Sequence, residues 1–270
     1  MAASYRFFLS SNCWLMRAYW LLVFPLAGLV GAVVPARPRA ALPVGGSRVP
    51  VIVELFTSEG CSSCPAADAA LRELENTQSV PGVEVIALGE HIDYWNRLGW
   101  RDVFSSSVYT ERQRQYAAGF VTGSYTPQAV VNGRYEFVGS RTAELAATVA
   151  NAAEMPQASV SITATGGTAQ VCVSSLPANT TAAQVVLVIT ESGLASQVGW
   201  GENSGRLLRH ASVVRQLGVL GKVGADGTFA AISELRLNPD WKRTNLRAAA
   251  LAQEITSRRV VGAATVSLTN

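Results

Sequence analysis

Val51-Ile52-Val53-Glu54-Leu55-Phe56-Thr57-Ser58-Glu59-Gly60-Cys61-Ser62-Ser63-Cys64-Pro65 is the stretch on which the fold turns. Its first six residues form a near-continuous apolar run of strand length, as expected of a central strand covered on both faces. Thr57-Ser58-Glu59-Gly60 reads as a turn. From Cys61 the spacing becomes helical, with Ala67, Ala70, Leu71 and Leu74 on one stripe and Asp68, Arg72, Glu73 and Glu75 elsewhere. Pro65 falls in the first turn of that helix, where its missing N–H costs nothing. Cys61 and Cys64 thus sit where a strand hands over to a helix.

Downstream, Pro81-Gly82 breaks the chain and Val83 to Leu88 reads as a second strand, parallel to the first because a helix crosses between them. A polar and aromatic loop from His91 to Trp100 leads to a helix over Ser105 to about Ala118. Gln128 to Val131 and Tyr135 to Val138 flank Asn132-Gly133, a strong hairpin signal, and an Ala-rich helix runs from Arg141 to about Ala153. Residues 50–155 therefore read β-α-β-α-β-β-α, the order of an α/β thioredoxin-like domain. After Pro156 the texture changes to short alternating runs separated by turns such as Gly166-Gly167 and Asp226-Gly227, which predicts a small, mainly antiparallel β domain over 156–270.

Upstream, Arg17 precedes an apolar run from Ala18 to Val34, followed by Pro- and Ala-rich residues to Pro43. This is the pattern of a secretory signal peptide over 1–40, with a linker over 41–49. Small residues offer cleavage after Ala36 or Ala40, and Met16 would start a compact leader by itself. An uncleaved anchor is the alternative, and the membrane would then be met only through the leader. Either way the expected location is periplasmic or secreted. The 270 residues carry 22 Lys+Arg against 19 Asp+Glu, a net charge of +3, with no basic run or aromatic-interleaved basic patch, which argues against a nucleic-acid partner.

Of the four cysteines, Cys13 falls in the leader and Cys172 alternates with Val171 and Val173 as a small apolar residue. Cys61 and Cys64 form a local dithiol. At a helix N-terminus the thiolate of Cys61 gains from unpaired backbone donors and the helix dipole, and Cys64, one turn on, can attack a mixed disulfide formed on Cys61. Ser62 and Ser63 offer hydroxyl donors, whereas Glu59 opposes the thiolate. A structural Cys61–Cys64 disulfide and half of a zinc site are the competing readings. Zinc would draw on Cys61, Cys64 and His91, but no second CxxC and no HxxxH exists, so no metal or cofactor is assigned.

The run Val53 to Asp68 resembles the signature of the DUF1223 family of bacterial secreted thioredoxin-like proteins. The likeness continues in His91-Ile92-Asp93-Tyr94-Trp95, Leu98-Gly99-Trp100, Glu111-Arg112-Gln113, Tyr125-Thr126-Pro127-Gln128, Val131-Asn132-Gly133 and Gly201-Glu202-Asn203 to Val213-Val214-Arg215. Ala66 departs from it where a second Pro is expected. The resemblance implies a cis Pro127 beside the cysteine pair, with Thr126 lending a backbone edge to substrate. It also puts Glu54 near the buried acid that thioredoxins use to exchange protons with the second cysteine. His91 and Asp93, at the motif's end of the sheet, become candidates to orient the thiols or substrate, or simply to tie a loop. Gly201 to His210 reads as a polar loop with binding potential. The expected function is an exported thiol–disulfide oxidoreductase acting on protein or small-molecule thiols and disulfides, recycled by an envelope redox partner. The rival is a binding module whose CxxC is structural.

Overall fold

The computed structural model describes residues 48–269; the expected leader and all but the last two residues of the expected linker lie outside the described residues. The chain runs β1 (Val49–Thr57), α1 (Cys64–Thr77), β2 (Val83–His91), α2 (Ser107–Ala117), β3 (Gln128–Val131), β4 (Tyr135–Val138) and α3 (Thr142–Ala153). Nine strands follow: β5 (Ser159–Thr165), β6 (Thr168–Ser174), β7 (Ala183–Glu191), β8 (Ala195–Gln197), β9 (Leu207–Arg209), β10 (Val213–Lys222), β11 (Phe229–Glu234), β12 (Leu246–Glu254) and β13 (Val260–Ser267). The result is a mixed α/β fold built on one large sheet.

That sheet has eight strands in the order β13-β12-β7-β10-β2-β1-β3-β4. β1 and β2 pair in parallel, and β3 and β4 complete the edge as an antiparallel hairpin. The Asn132-Gly133 turn has φ of 46° and 63°, the left-handed pair that such a hairpin requires. β7, β10, β12 and β13 do not form the separate small sheet that their sequence texture suggests. They extend the β1–β2 sheet through one junction, where Val213 pairs with Gly89 and the Gly89 N–H donates to the Ser212 carbonyl at 2.6 Å. A Cβ on residue 89 would stand 3.2 Å from that carbonyl oxygen, so the approach depends on glycine. β5, β6 and β11 form their own three-stranded sheet, and β8 and β9 a two-stranded hairpin.

Alternation along β1 sorts the core. Val51, Val53 and Leu55 face α1 and α3 with Ala67, Leu71 and Val149. Ile52 faces the other way and packs with Ile86 and Leu88 of β2, Val186 and Val188 of β7, and Ala249 and Leu251 of β12. Strands from both halves of the sheet thus share one apolar cluster, and the Val260 N–H donates to the Asn132 carbonyl at 2.9 Å, so the sheet curls over its own face. The three-stranded sheet covers the outer face of β7 and β12, where Val171, Val173 and Phe229 meet Val185, Ala248 and Ala250.

Candidate functional site

Cys61 and Cys64 are joined as a disulfide with Cα atoms 5.4 Å apart. α1 begins at Cys64, with Pro65 in its first turn, so Cys61 precedes the helix and does not open it. The Cys64 N–H closes a turn onto the Cys61 carbonyl at 3.2 Å, and the Ser63 hydroxyl lies 3.4 Å from Cys61 Sγ. Both cysteines are 1% exposed. Their cover comes from more than 130 residues away, at the tip of the β8–β9 hairpin. There, buried Asn203 donates from Nδ2 to the carbonyls of Glu59 and Cys61 at 2.9 Å each, and Glu202 accepts the Ser62 N–H at 2.9 Å.

Behind the cysteine turn lies a buried histidine–carboxylate cluster. His91 ends β2 on the α1 side of the sheet, and its Nδ1 stands 2.6 Å from Oδ2 of Asp102. That oxygen also accepts the Glu59 N–H at 2.9 Å, while Oδ1 accepts the Phe104 N–H at 2.9 Å. Burial would raise the Asp102 carboxyl, but the interaction with His91 and these backbone donors outweigh it and hold it below the usual Asp range. His210 follows β9 and sets its Nε2 3.2 Å from Oε1 of Glu59, whose Oε2 accepts the Trp100 indole N–H at 2.7 Å. Its Nδ1 faces Oδ1 of Asp68 at 3.8 Å, and Oδ2 of Asp68 accepts the Thr57 hydroxyl at 2.7 Å. Burial would lower the His210 pKa; the facing carboxylates of Asp68 and Glu59 outweigh it and raise it to about 9. The two imidazoles meet edge to face at 4.8 Å, and Phe104 packs against both.

Glu54 lies elsewhere. It shares the face of β1 with Ile52 and Phe56, opposite α1, because side chains alternate along a strand. Its carboxylate binds Arg112 Nε at 2.6 Å and the Tyr116 hydroxyl, both on α2. The acids that reach the cysteine side are Glu59 and Asp68. Asp93 does not join His91: it accepts the Thr110 hydroxyl at 2.6 Å and ties the loop to α2. The Thr126–Pro127 bond is cis, as expected. Thr126 accepts the Trp95 indole N–H at 2.9 Å, and Trp95 packs against Gly60, so this side chain connects the Pro127 loop with the cysteine turn. Cys172 lies in β6, half-buried, opposite Ser161 and Ala230.

Asp68 and Asp102 carry no assignment from sequence, while Asn203 and His210 fall in the 201–210 loop read there only as a segment with binding potential. Asp68 falls at the i+4 position from Cys64, and Cys64, Ala67, Asp68, Leu71 and Leu74 are the buried residues of α1. A carboxylate on that stripe was the available signal. Asp102, Asn203 and His210 come from loops, and only the fold brings them together.

Fold and site together define a mixed α/β protein with a CxxC disulfide set against a buried histidine–carboxylate cluster. The chain belongs to the family described as "Protein of unknown function (DUF1223)", which matches residues 52–253. It is similar to a protein from Agrobacterium tumefaciens solved by X-ray crystallography, at 27% identity and a TM-score of 0.67 over 84% of this chain and 97% of that one. Likenesses to a domain of the outer membrane lipoprotein Omp28 from Porphyromonas gingivalis (11% identity, TM-score 0.28, 42% of this chain and 89% of that one) and to an endonuclease/exonuclease/phosphatase from Beutenbergia cavernae (12%, 0.22, 42% and 24%) are too slight to bear on fold or function. No curated protein matches the chain. No helix among the described residues is long and apolar enough to cross a membrane.

Proposed function

We propose that this protein is an exported thiol–disulfide oxidoreductase with a thioredoxin-like core. The observation that carries the reading is the Cys61–Cys64 disulfide held between the end of β1 and the start of α1, with the Ser63 hydroxyl beside Cys61 Sγ. Donors at a helix start stabilise thiolate there. In the oxidised protein a substrate thiolate attacks Cys61 Sγ, the S–S bond breaks and Cys64 leaves as thiolate. A second substrate thiolate then displaces Cys61, giving a substrate disulfide and a reduced CxxC pair. Run backwards, the same steps reduce a substrate disulfide. The Glu59 carboxylate beside the thiolate is engaged at both oxygens, by His210 Nε2 at 3.2 Å and by the Trp100 indole N–H at 2.7 Å. Substrates are protein or small-molecule thiols and disulfides, and an envelope partner restores the pair. The apolar run behind Arg17 supports a periplasmic or secreted location.

The test is alkylation of Cys61 against pH in the reduced protein, with Cys61→Ser and Cys64→Ser controls, beside capture of partners by Cys64→Ser in cells. A depressed thiol pKa and trapped mixed disulfides are expected. An ordinary thiol pKa with no trapped partner rejects the enzyme. One observation favours a second reading: at 1% exposure each, the cysteines have the burial of a structural disulfide. Under that reading reduction unfolds the 58–64 turn and captures nothing.

A further inference from the structure

Five carboxylates or imidazoles lie buried behind the cysteine turn, and their hydrogen bonds leave a residue. Carboxylate oxygens only accept, so His91 must donate from Nδ1 to Asp102, and His210 from Nε2 to Glu59. The nitrogens left over, Nε2 of His91 and Nδ1 of His210, have no hydrogen-bond partner, nor does Oδ1 of Asp68. All three residues are at least 96% buried, His210 Nδ1 stands 3.8 Å from Asp68 Oδ1, and each of the three residues offers a ligand atom within 4.8 Å of the others'. Converging lone pairs in a dry interior repel, and unpartnered polar atoms there cost free energy. A proton on His210 answers the His210–Asp68 pair and leaves His91 facing it bare. One divalent cation answers all three.

We propose that Asp68 Oδ1, His91 Nε2 and His210 Nδ1 form a binding site for a divalent late transition metal, with zinc as its occupant. Two imidazoles and one carboxylate are donors that suit zinc and its neighbours, whereas calcium and magnesium favour sets of oxygens. Zinc bonds of about 2.0–2.2 Å bring three ligands within roughly 3.5 Å of each other, so side-chain shifts of about an ångström close the set. Each histidine already donates its other nitrogen to a buried carboxylate, Asp102 or Glu59, which is the outer-sphere support that fixes tautomer and ring direction in metal-binding histidines. Any proton on His210 Nδ1 leaves to solvent as the metal enters. The ligands come from α1, β2 and the segment after β9, so the metal would cross-link the first half of the chain to the cover over the cysteines. This proposal stands apart from the redox reading, since it uses neither sulfur.

The experiment uses the full chain, stripped with chelator and with the disulfide intact. It is titrated with zinc chloride by calorimetry and with cobalt(II) by absorption. Expected are one metal per chain, a cobalt spectrum without a sulfur charge-transfer band, and metal-dependent thermal protection. Asp68→Asn should weaken binding by more than 100-fold, and Asp102→Asn by about 10–100-fold through His91. The double variant Cys61→Ser, Cys64→Ser should bind as the parent does. Failure of the parent protein to take up either metal overturns the proposal, whatever the variants do. So does binding that Asp68→Asn leaves intact, or that the double cysteine variant loses.

Discussion

Nδ1 of His91 and Oδ2 of Asp102 lie 2.6 Å apart, both buried, and join the end of β2 to the loop before α2. The Asp102 carboxylate also accepts the N–H groups of Glu59 and Phe104, so Asp102→Ala strands three donors. At about 1–3 kcal/mol for each buried unsatisfied group, a loss of several kcal/mol in unfolding free energy is expected, with a smaller loss for Asp102→Asn. The sign with pH is fixed by the lowered Asp102 pKa. Its contribution is present above the unfolded value of about 3.9 and disappears as pH falls through the folded value. Denaturant melts at pH 7 and pH 3 check this: the gap between parent and Asp102→Asn should narrow at the lower pH. A gap that is constant or wider there rejects the assignment.

Glu90 gives the opposite slope. It lies fully buried in β2 on the same face of the sheet as Glu54 of β1, with Arg112 Nε 3.4 Å from Oε1. Burial first, and then the Glu54 charge, raises its carboxyl well above the ordinary value. Its stabilising contribution is complete below the unfolded value of about 4.3 and is lost as pH rises through the folded value. Glu90→Gln should therefore match the parent near pH 4 and exceed it increasingly above, by up to about 1.4 kcal/mol per pH unit within that window. Urea midpoints at several pH values decide it, and a parent protein that gains on the variant with rising pH contradicts the reading.

These two acids show where sequence reasoning stopped. The apolar run at Val51–Phe56 and the Asn132-Gly133 turn are local signals, and β3 and β4 appear on the residues expected of them. The Cys61–Cys64 disulfide was equally legible. What periodicity missed was β10, because Gly218 and Gly221 interrupt it and its register slips between Val214 and Gln216 and between Val219 and Gly221. With β10 unseen, the junction at Gly89 was invisible, and so was the single sheet. Glu54 drew attention by its nearness in sequence to Cys61, yet alternation sends it to the far face. His210 and Asp68 stand 142 positions apart, and no local pattern pairs them.

Asn203 offers a test of what keeps Cys61 covered. Its side-chain amide holds the carbonyls of Glu59 and Cys61, and no other side chain of the β8–β9 tip is as deeply buried as this one. Asn203→Ala leaves both carbonyls to seek water, which favours opening of the tip by about 1–3 kcal/mol. Reduction of the disulfide by dithiothreitol should then quicken on the order of tenfold, read by alkylation and mass. An unchanged rate means that the hairpin tip is not what limits access.

Gly133 lies where the two ends of the curled sheet meet. Its φ of 63° already disfavours a side chain, and a Cβ built there would overlap the Arg258 carbonyl oxygen and press on the Tyr116 ring at 3.2 Å. Next to it the Val260 N–H donates to the Asn132 carbonyl at 2.9 Å, so hairpin β3–β4 is fastened to the β12–β13 turn at this point. Backbone cannot yield as a flexible side chain does. Gly133→Ala therefore combines a left-handed conformation costing about 1–2 kcal/mol with overpacking of about 1–3 kcal/mol. The separate glycine at 82, φ 74° with nothing within 4 Å, supplies the control, since Gly82→Ala meets only the conformational cost. Chemical denaturation should place Gly133→Ala below Gly82→Ala by at least about 1 kcal/mol. Equal losses would show that the sheet ends do not hold each other at Arg258.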